Sequence, residues 1–196
     1  MIRINQNVSS AGAATYYSTS DYYTEGQERE GIWHGLGAAR LNLSGKIDKS
    51  AWESLCENRD PRTGETLTIR RKSERRVGYD FNFHPPKSLS LLHAVTGDER
   101  IVDAFRSAVQ ETMAEMEAEM KARVRKDGGN KDRITGNMVW GEFIHLTTRP
   151  VDGIPDPHLH CHAFVHNVTF DPVSPFFKER RRYGLLLVSD GNTCGH

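Results

Sequence analysis

Four histidines stand at alternate positions in the run His158-Leu159-His160-Cys161-His162-Ala163-Phe164-Val165-His166. In an extended strand alternate residues point to the same side, so this run lays a row of imidazoles along one face. A neutral imidazole is the commonest protein ligand for metal ions. Upstream, residues 137–147 read as a second strand, in which His145 shares a face with Val139, Gly141 and Phe143. An antiparallel pairing centred near Asp152 and Gly153 sets His145 beside His160, with directly opposite Cβ atoms about 4.5–5.5 Å apart. His145, His160 and His162 are then candidate ligands of one ion, with coordination positions left for a substrate oxygen. His158 and His166 lie further along the strand and are weaker candidates. The alternative, on the residues alone, is a half-exposed sheet face whose histidines stack and hydrogen-bond without metal.

Tyr16, Tyr17, Tyr22 and Tyr23 are four of the six tyrosines in the chain. Taken alone, they read as an aromatic packing patch. A phenol is a poor nucleophile at neutral pH because its pKa is about 10. Its attack on a phosphodiester calls for a base or a metal-polarised electrophile. The three histidines offer the second. Asp80 offers the first, or it orients a ligand histidine through the second ring nitrogen. Tyrosines and metal ligands together point to phosphoryl transfer, where either set alone is ambiguous.

The elements that must position these residues follow from the hydrophobic period. Residues 2–6 read as a first strand. Ser9 and Ser10 cap a helix that runs through residues 11–14 into the tyrosine pairs. Asp48 caps a short helix that buries Ala51, Trp52 and Leu55. Val77, Tyr79, Phe81 and Phe83 alternate with Gly78, Asp80 and Asn82, the period of a half-buried strand with Asp80 opposite the aromatic side. Pro85 and Pro86 end it. Val102, Phe105, Val109, Met113, Met116, Met120 and Val124 predict one long helix stopped by Asp127, Gly128 and Gly129. Its methionines are read as a core-facing stripe. Two strands follow, over residues 137–147 and 158–169, so the fold class is α+β with antiparallel pairing.

With 196 residues, 37% hydrophobic and 27% charged, the composition is that of a globular domain rather than a disordered chain. No apolar run approaches the ~18–20 residues that cross a bilayer, and the opening MIRINQNVSS lacks a secretory signal layout. An intracellular protein is expected. Cys56, Cys161 and Cys194 form no C-x-x-C pair and read as free thiols. Twenty-six basic residues balance twenty-six acidic ones, so net charge gives a nucleic-acid role no support. The clusters Arg70-Arg71-Lys72 with Arg75-Arg76, and Lys178 with Arg180-Arg181-Arg182, read as solvated faces unless other residues point to DNA.

Several segments, taken in order, resemble the relaxase domain of MobF-type conjugative relaxases of the HUH endonuclease superfamily. They are Ser10-Ala11-Gly12 with both tyrosine pairs, the tract around Trp33, Gly35, Gly37, Leu43 and Ser44-Gly45, and Gly78-Tyr79-Asp80 through Phe83 with Pro86-Lys87-Ser88. Thr135-Gly136-Asn137 leading to His145, and Asp156-Pro157-His158-Leu159-His160-Cys161-His162, complete the set. The likeness runs from Ile2 to Asp171. It implies an HUH-endonuclease architecture, a central antiparallel sheet flanked by helices. Residues 1–175 are expected to form a relaxase domain shorter than the family's, and 176–196 a divergent tail.

The resemblance also implies a mechanism. Tyr16 attacks a scissile phosphate in single-stranded DNA at an origin of transfer, giving a 5′-phosphotyrosine and a free 3′-hydroxyl. His145, His160 and His162 hold one divalent ion, Asp80 is the family carboxylate beside them, and Tyr22 or Tyr23 acts in the terminating transfer. Lys87 and Arg149 are candidate phosphate contacts, with a solvated surface position the alternative for each. Imidazole ligands suit zinc, manganese or nickel better than magnesium, whereas relaxases resemble one another in using magnesium or manganese. Other relaxosome proteins are implied partners, in the bacterial cytoplasm. Two rival readings are an inactive remnant that binds DNA or a partner without cleaving, and an unrelated three-histidine metallohydrolase. Because the likeness fades after Asp171, weak and salt-sensitive DNA binding with poor cleavage is expected of these residues.

Overall fold

A computed structural model describes residues 2–7, 12–13, 30–68, 76–126, 129–148, 152–173 and 177–178. The strands are β1 (Ile2–Asn7), β2 (Ile32–His34), β3 (Gly45–Lys46), β4 (Gly78–Phe83), β5 (Lys121–Lys126), β6 (Gly129–Ile134), β7 (Trp140–Thr147), β8 (Pro157–His166), β9 (Thr169–Phe170) and β10 (Phe177–Lys178). The helices are α1 (Leu36–Arg40), α2 (Lys49–Cys56), α3 (Lys87–Thr96) and α4 (Glu99–Ala118). Six strands make one antiparallel sheet in the order β1-β4-β8-β7-β2-β3. The α+β class and the central antiparallel sheet are as expected. None of the helices is long and apolar enough to cross a membrane among the described residues.

The alternation in β4 and β8 divides the sheet into two differently furnished sides. Tyr79, Phe81 and Phe83 join Leu159, Cys161, Ala163 and Val165 on one side, packed against Val102, Val109 and Met113 of α4. On the other side Phe143 and Phe164 pack with Trp33, Trp52 and Leu55. Trp52 is wholly buried, with ring centroids 5.2 Å from Phe143, 5.1 Å from Phe164 and 4.7 Å from His166. Its helix begins as expected, Asp48 Oδ1 accepting the Ala51 N–H at 2.8 Å, which satisfies one of the first-turn donors. The Trp52 Nε1–H donates to the carbonyl of Ala13 at 2.9 Å. Gly78 and Gly141 leave room for these rings: a Cβ on Gly78 would lie 2.4 Å from Phe164, and one on Gly141 would lie 3.0 Å from Trp52.

Three expectations need correction. The apolar stripe of α4 does not continue to Val124. The helix ends at Ala118, and β5 pairs with β6 from Lys121↔Ile134 to Lys126↔Gly129. Ala122 and Val124 fit a strand's period of two as readily as a helix's, and the hairpin pairing decided between them. Met120 stays buried all the same, its carbonyl accepting the Thr135 N–H at 2.7 Å.

The second correction is α3, which the apolar pattern does not announce. Only Ser90 of this helix is buried, while Leu91, Leu92 and Val95 are exposed. The third is that β7 starts at Trp140 and β8 stops at His166. Asn137, in front of β7, instead ties the two ends together, its Nδ2 donating to the Phe170 carbonyl and its Oδ1 accepting the Phe170 N–H, both at 2.8 Å.

Candidate metal centre

The pairing of β7 with β8 places His145 directly across from His160 and Phe143 across from His162. On the other flank β4 sets Asn82 across from His162 and Asp80 across from Phe164. The three imidazoles therefore share one side of the sheet, at the end away from Trp52. Their ring centroids are 5.0 Å apart for His145 and His160, 5.4 Å for His145 and His162, and 5.2 Å for His160 and His162. Rings that share an ion about 2.0–2.1 Å from each nitrogen have centroids roughly 5 Å apart. Among the described residues no three histidine, cysteine or carboxylate side chains are already arranged to hold an ion. The spacing carries more weight than that arrangement, because the sheet register fixes the Cβ positions whereas the rings turn about χ1 and χ2.

Hydrogen bonds select the tautomers. Asp80 is 1% exposed, and its Oδ2 lies 2.9 Å from His162 Nδ1. A buried carboxylate accepts, so His162 donates from Nδ1 and its lone pair sits on Nε2. His160 Nδ1 lies 2.8 Å from the carbonyl oxygen of His158, which again makes Nδ1 the donor and Nε2 the basic nitrogen. Burial pulls the pKa of His145 down to about 4, with the neighbouring His162 adding to the effect. Burial likewise brings His160 down to about 3, against the bond to the His158 carbonyl that works the other way. Both rings are neutral at physiological pH, the form that binds metal. Donor type, tautomer and spacing all fit a divalent ion.

Lys87 opens α3 at the same end of β8, where its Nζ donates to the Pro157 carbonyl at 2.6 Å. Arg149 and the tyrosines Tyr16, Tyr17, Tyr22 and Tyr23 lie outside the described residues. Ala13, three positions before Tyr16 in the sequence, is fully buried beneath the Trp52 indole. Two neighbours of the histidines escaped the sequence reading. Asn82 Nδ2 is 3.2 Å from His162 Nδ1, and His84 Nδ1 is 3.2 Å from His158 Nε2. The period of β4 was the signal for Asn82, two positions from Asp80 within the strand.

The family model described as TrwC relaxase matches residues 10–174. The chain belongs to the TrwC relaxase family. A relative in it is the multifunctional conjugation protein TraI of Escherichia coli strain K12, 39% identical over 171 residues, which make up 86% of this chain and 10% of that protein. Two solved structures are similar throughout the fold. The conjugative relaxase TrwC in its metal-bound complex with oriT DNA superposes with a TM-score of 0.76 at 31% identity, over 92% of this chain and 61% of that one. A copper-bound TrwC complex with oriT DNA gives 0.76 at 32% identity, over 92% and 62%. The chain thus spans about a tenth of the TraI relative's length and about three fifths of the TrwC chains.

Proposed function

We propose that this member of the TrwC relaxase family nicks single-stranded DNA at an origin of transfer, with His145, His160 and His162 holding one divalent ion and Tyr16 as the nucleophile. The observation that carries the reading is the triad of imidazoles braced by a buried aspartate on one sheet face. The DNA and metal bound by the TrwC relatives, and the conjugation role in TraI's name, support it. Family membership disfavours an unrelated three-histidine hydrolase. A place in the cytoplasm among relaxosome proteins accords with it.

When bound, the ion polarises the scissile phosphate and offsets the negative charge that develops on its oxygens. Asp80 keeps His162 in its Nδ1–H tautomer and fixes the ring plane. It is deeply buried and bonded to His162, which favours orientation over service as a base. Tyr16 loses its phenolic proton as the Oη–P bond forms and the bond from phosphorus to the 3′ oxygen breaks. The departing 3′ oxygen takes up a proton, leaving a 5′-phosphotyrosine. Tyr22 or Tyr23 serves a second transfer, and Tyr17 stands beside the first nucleophile. Lys87, at the histidine end of β8, and Arg149 meet the phosphate backbone. The all-imidazole donor set favours manganese, zinc, nickel or copper over magnesium.

The test is a denaturing gel that follows covalent protein–DNA adducts on single-stranded origin-of-transfer oligonucleotides. Adduct that forms with manganese and vanishes on chelation supports the proposal. Cleavage without any adduct rejects it. Asp80→Asn is expected to lower metal affinity about 10–100-fold, the usual consequence of losing a ligand's carboxylate partner. Calorimetric titration checks this, and an unchanged affinity would remove Asp80 from the site.

A further inference from the structure

A second pair of histidines stands beside the triad. β4 ends at Phe83, paired with Cys161 of β8, and His84 follows at once. Its ring lies 5.2 Å from that of His158, centroid to centroid, with a tilt of 33°. Both rings are half-buried. The Nδ1 of His84 and the Nε2 of His158 are 3.2 Å apart. We propose that His84 and His158 form a second metal site, a two-imidazole chelate for zinc, copper or nickel, separate from the triad.

Two nitrogens about 2.0–2.1 Å from one ion are roughly 2.9–3.4 Å apart when they occupy neighbouring positions, from right-angled to tetrahedral. The observed 3.2 Å falls inside that range. The same contact serves as an N–H···N hydrogen bond between the rings, so an incoming ion takes the place of the shared proton. The backbone holds the pair ready: β4–β8 pairing runs up to Phe83, and the Lys87 ammonium grips the Pro157 carbonyl just ahead of His158 at 2.6 Å.

His160 does not merge the two sites through Nδ1, because that atom is committed to the His158 carbonyl. Its ring packs 4.9 Å from His158 and stacks 5.9 Å from His84, so this one triad ring lies between the pair and the other two triad histidines. The charges facing the pair are mixed. Arg3 acts on His84 and Lys87 on His158, both opposing a cation, while Asp156 draws one toward His158. Two imidazoles against that field favour borderline ions that bond covalently to nitrogen, and disfavour calcium and magnesium, which take oxygen. The site is weaker than the triad and stands whether or not the triad binds metal.

Zinc titration of the full, untagged chain, with bound metal counted after equilibrium dialysis, tests the pair. Copper(II) electron paramagnetic resonance reports nitrogen ligation in parallel. The unmodified chain should bind one more zinc equivalent than His84→Gln or His158→Gln, each checked for native circular dichroism. The chain with His160→Ala and His162→Ala should keep that equivalent and lose it when His84→Gln is added. Equal zinc uptake by the unmodified chain, His84→Gln and His158→Gln would overturn the proposal. An equivalent lost only with His160 and His162 would support the triad and reject the pair. An equivalent lost only with His84 would do the reverse.

Discussion

Replacing His160 and His162 together by alanine is expected to abolish metal uptake at the triad and to cut adduct formation by more than about a hundredfold. Loss of one partner outside the coordination sphere already costs about 10–100-fold in affinity or activity, and here two of three ligands go. His145 alone cannot retain an ion against water. Neither substitution adds a charge or a buried polar atom, and the β8 backbone keeps its pairing with β4 and β7. His160 is 5% exposed, so some stability is lost with its packing, and thermal melting must accompany the assay. A folded double variant with unchanged stoichiometry of the tighter-bound metal would reject the triad.

Arg106→Ala is expected to destabilise the fold by about 3–5 kcal/mol, the cost of leaving a buried charge without its partner. Glu142 lies in β7 on the helical side of the sheet and is 1% exposed. Arg106 Nε of α4 donates to its Oε1 at 2.7 Å and Gln110 Nε2 to its Oε2 at 3.0 Å. His34 Nε2 is 3.4 Å away. Burial raises the Glu142 pKa, but the bonds from His34 and Gln110 and the charge of Arg106 outweigh it, so the net shift is downward. Its contribution is therefore complete above the ordinary glutamate pKa near 4.5 and is lost as the pH falls through the lowered value. Denaturant unfolding at pH 7 measures the loss. A change below about 1 kcal/mol, the range of an exposed pair, would mean that Glu142 is not held by Arg106. The effect reaches the site because β7 carries Glu142 and His145 on opposite sides of one strand.

The histidine face was legible because a strand's period is two and antiparallel pairing of the two strands fixes which residues face each other. Pairing through Asp152 and Gly153 put His145 opposite His160, as found, and Asp80 fell on that face by the alternation of β4. The C-terminal end of α4 was misread because Met120 and Val124 extend a helical stripe while also suiting the strand that a hairpin imposes. α3 was invisible to periodicity, since a helix that buries only Ser90 and exposes its leucines carries no amphipathic signal. His84 was missed for a different reason: Pro85 and Pro86 marked the end of β4, and the residue just past a strand has no period to place it. The roles of the tyrosines came from resemblance, because tyrosines close together in sequence pack far more often than they react.

The most direct measurement is to trap the adduct on single-stranded origin-of-transfer DNA, digest it, and locate the modified residue by mass spectrometry. A 5′-phosphotyrosine on Tyr16, absent from a folded Tyr16→Phe chain that keeps the ring and loses only the hydroxyl, is the result this account predicts. An adduct on Tyr183, or on no tyrosine at all, would contradict it.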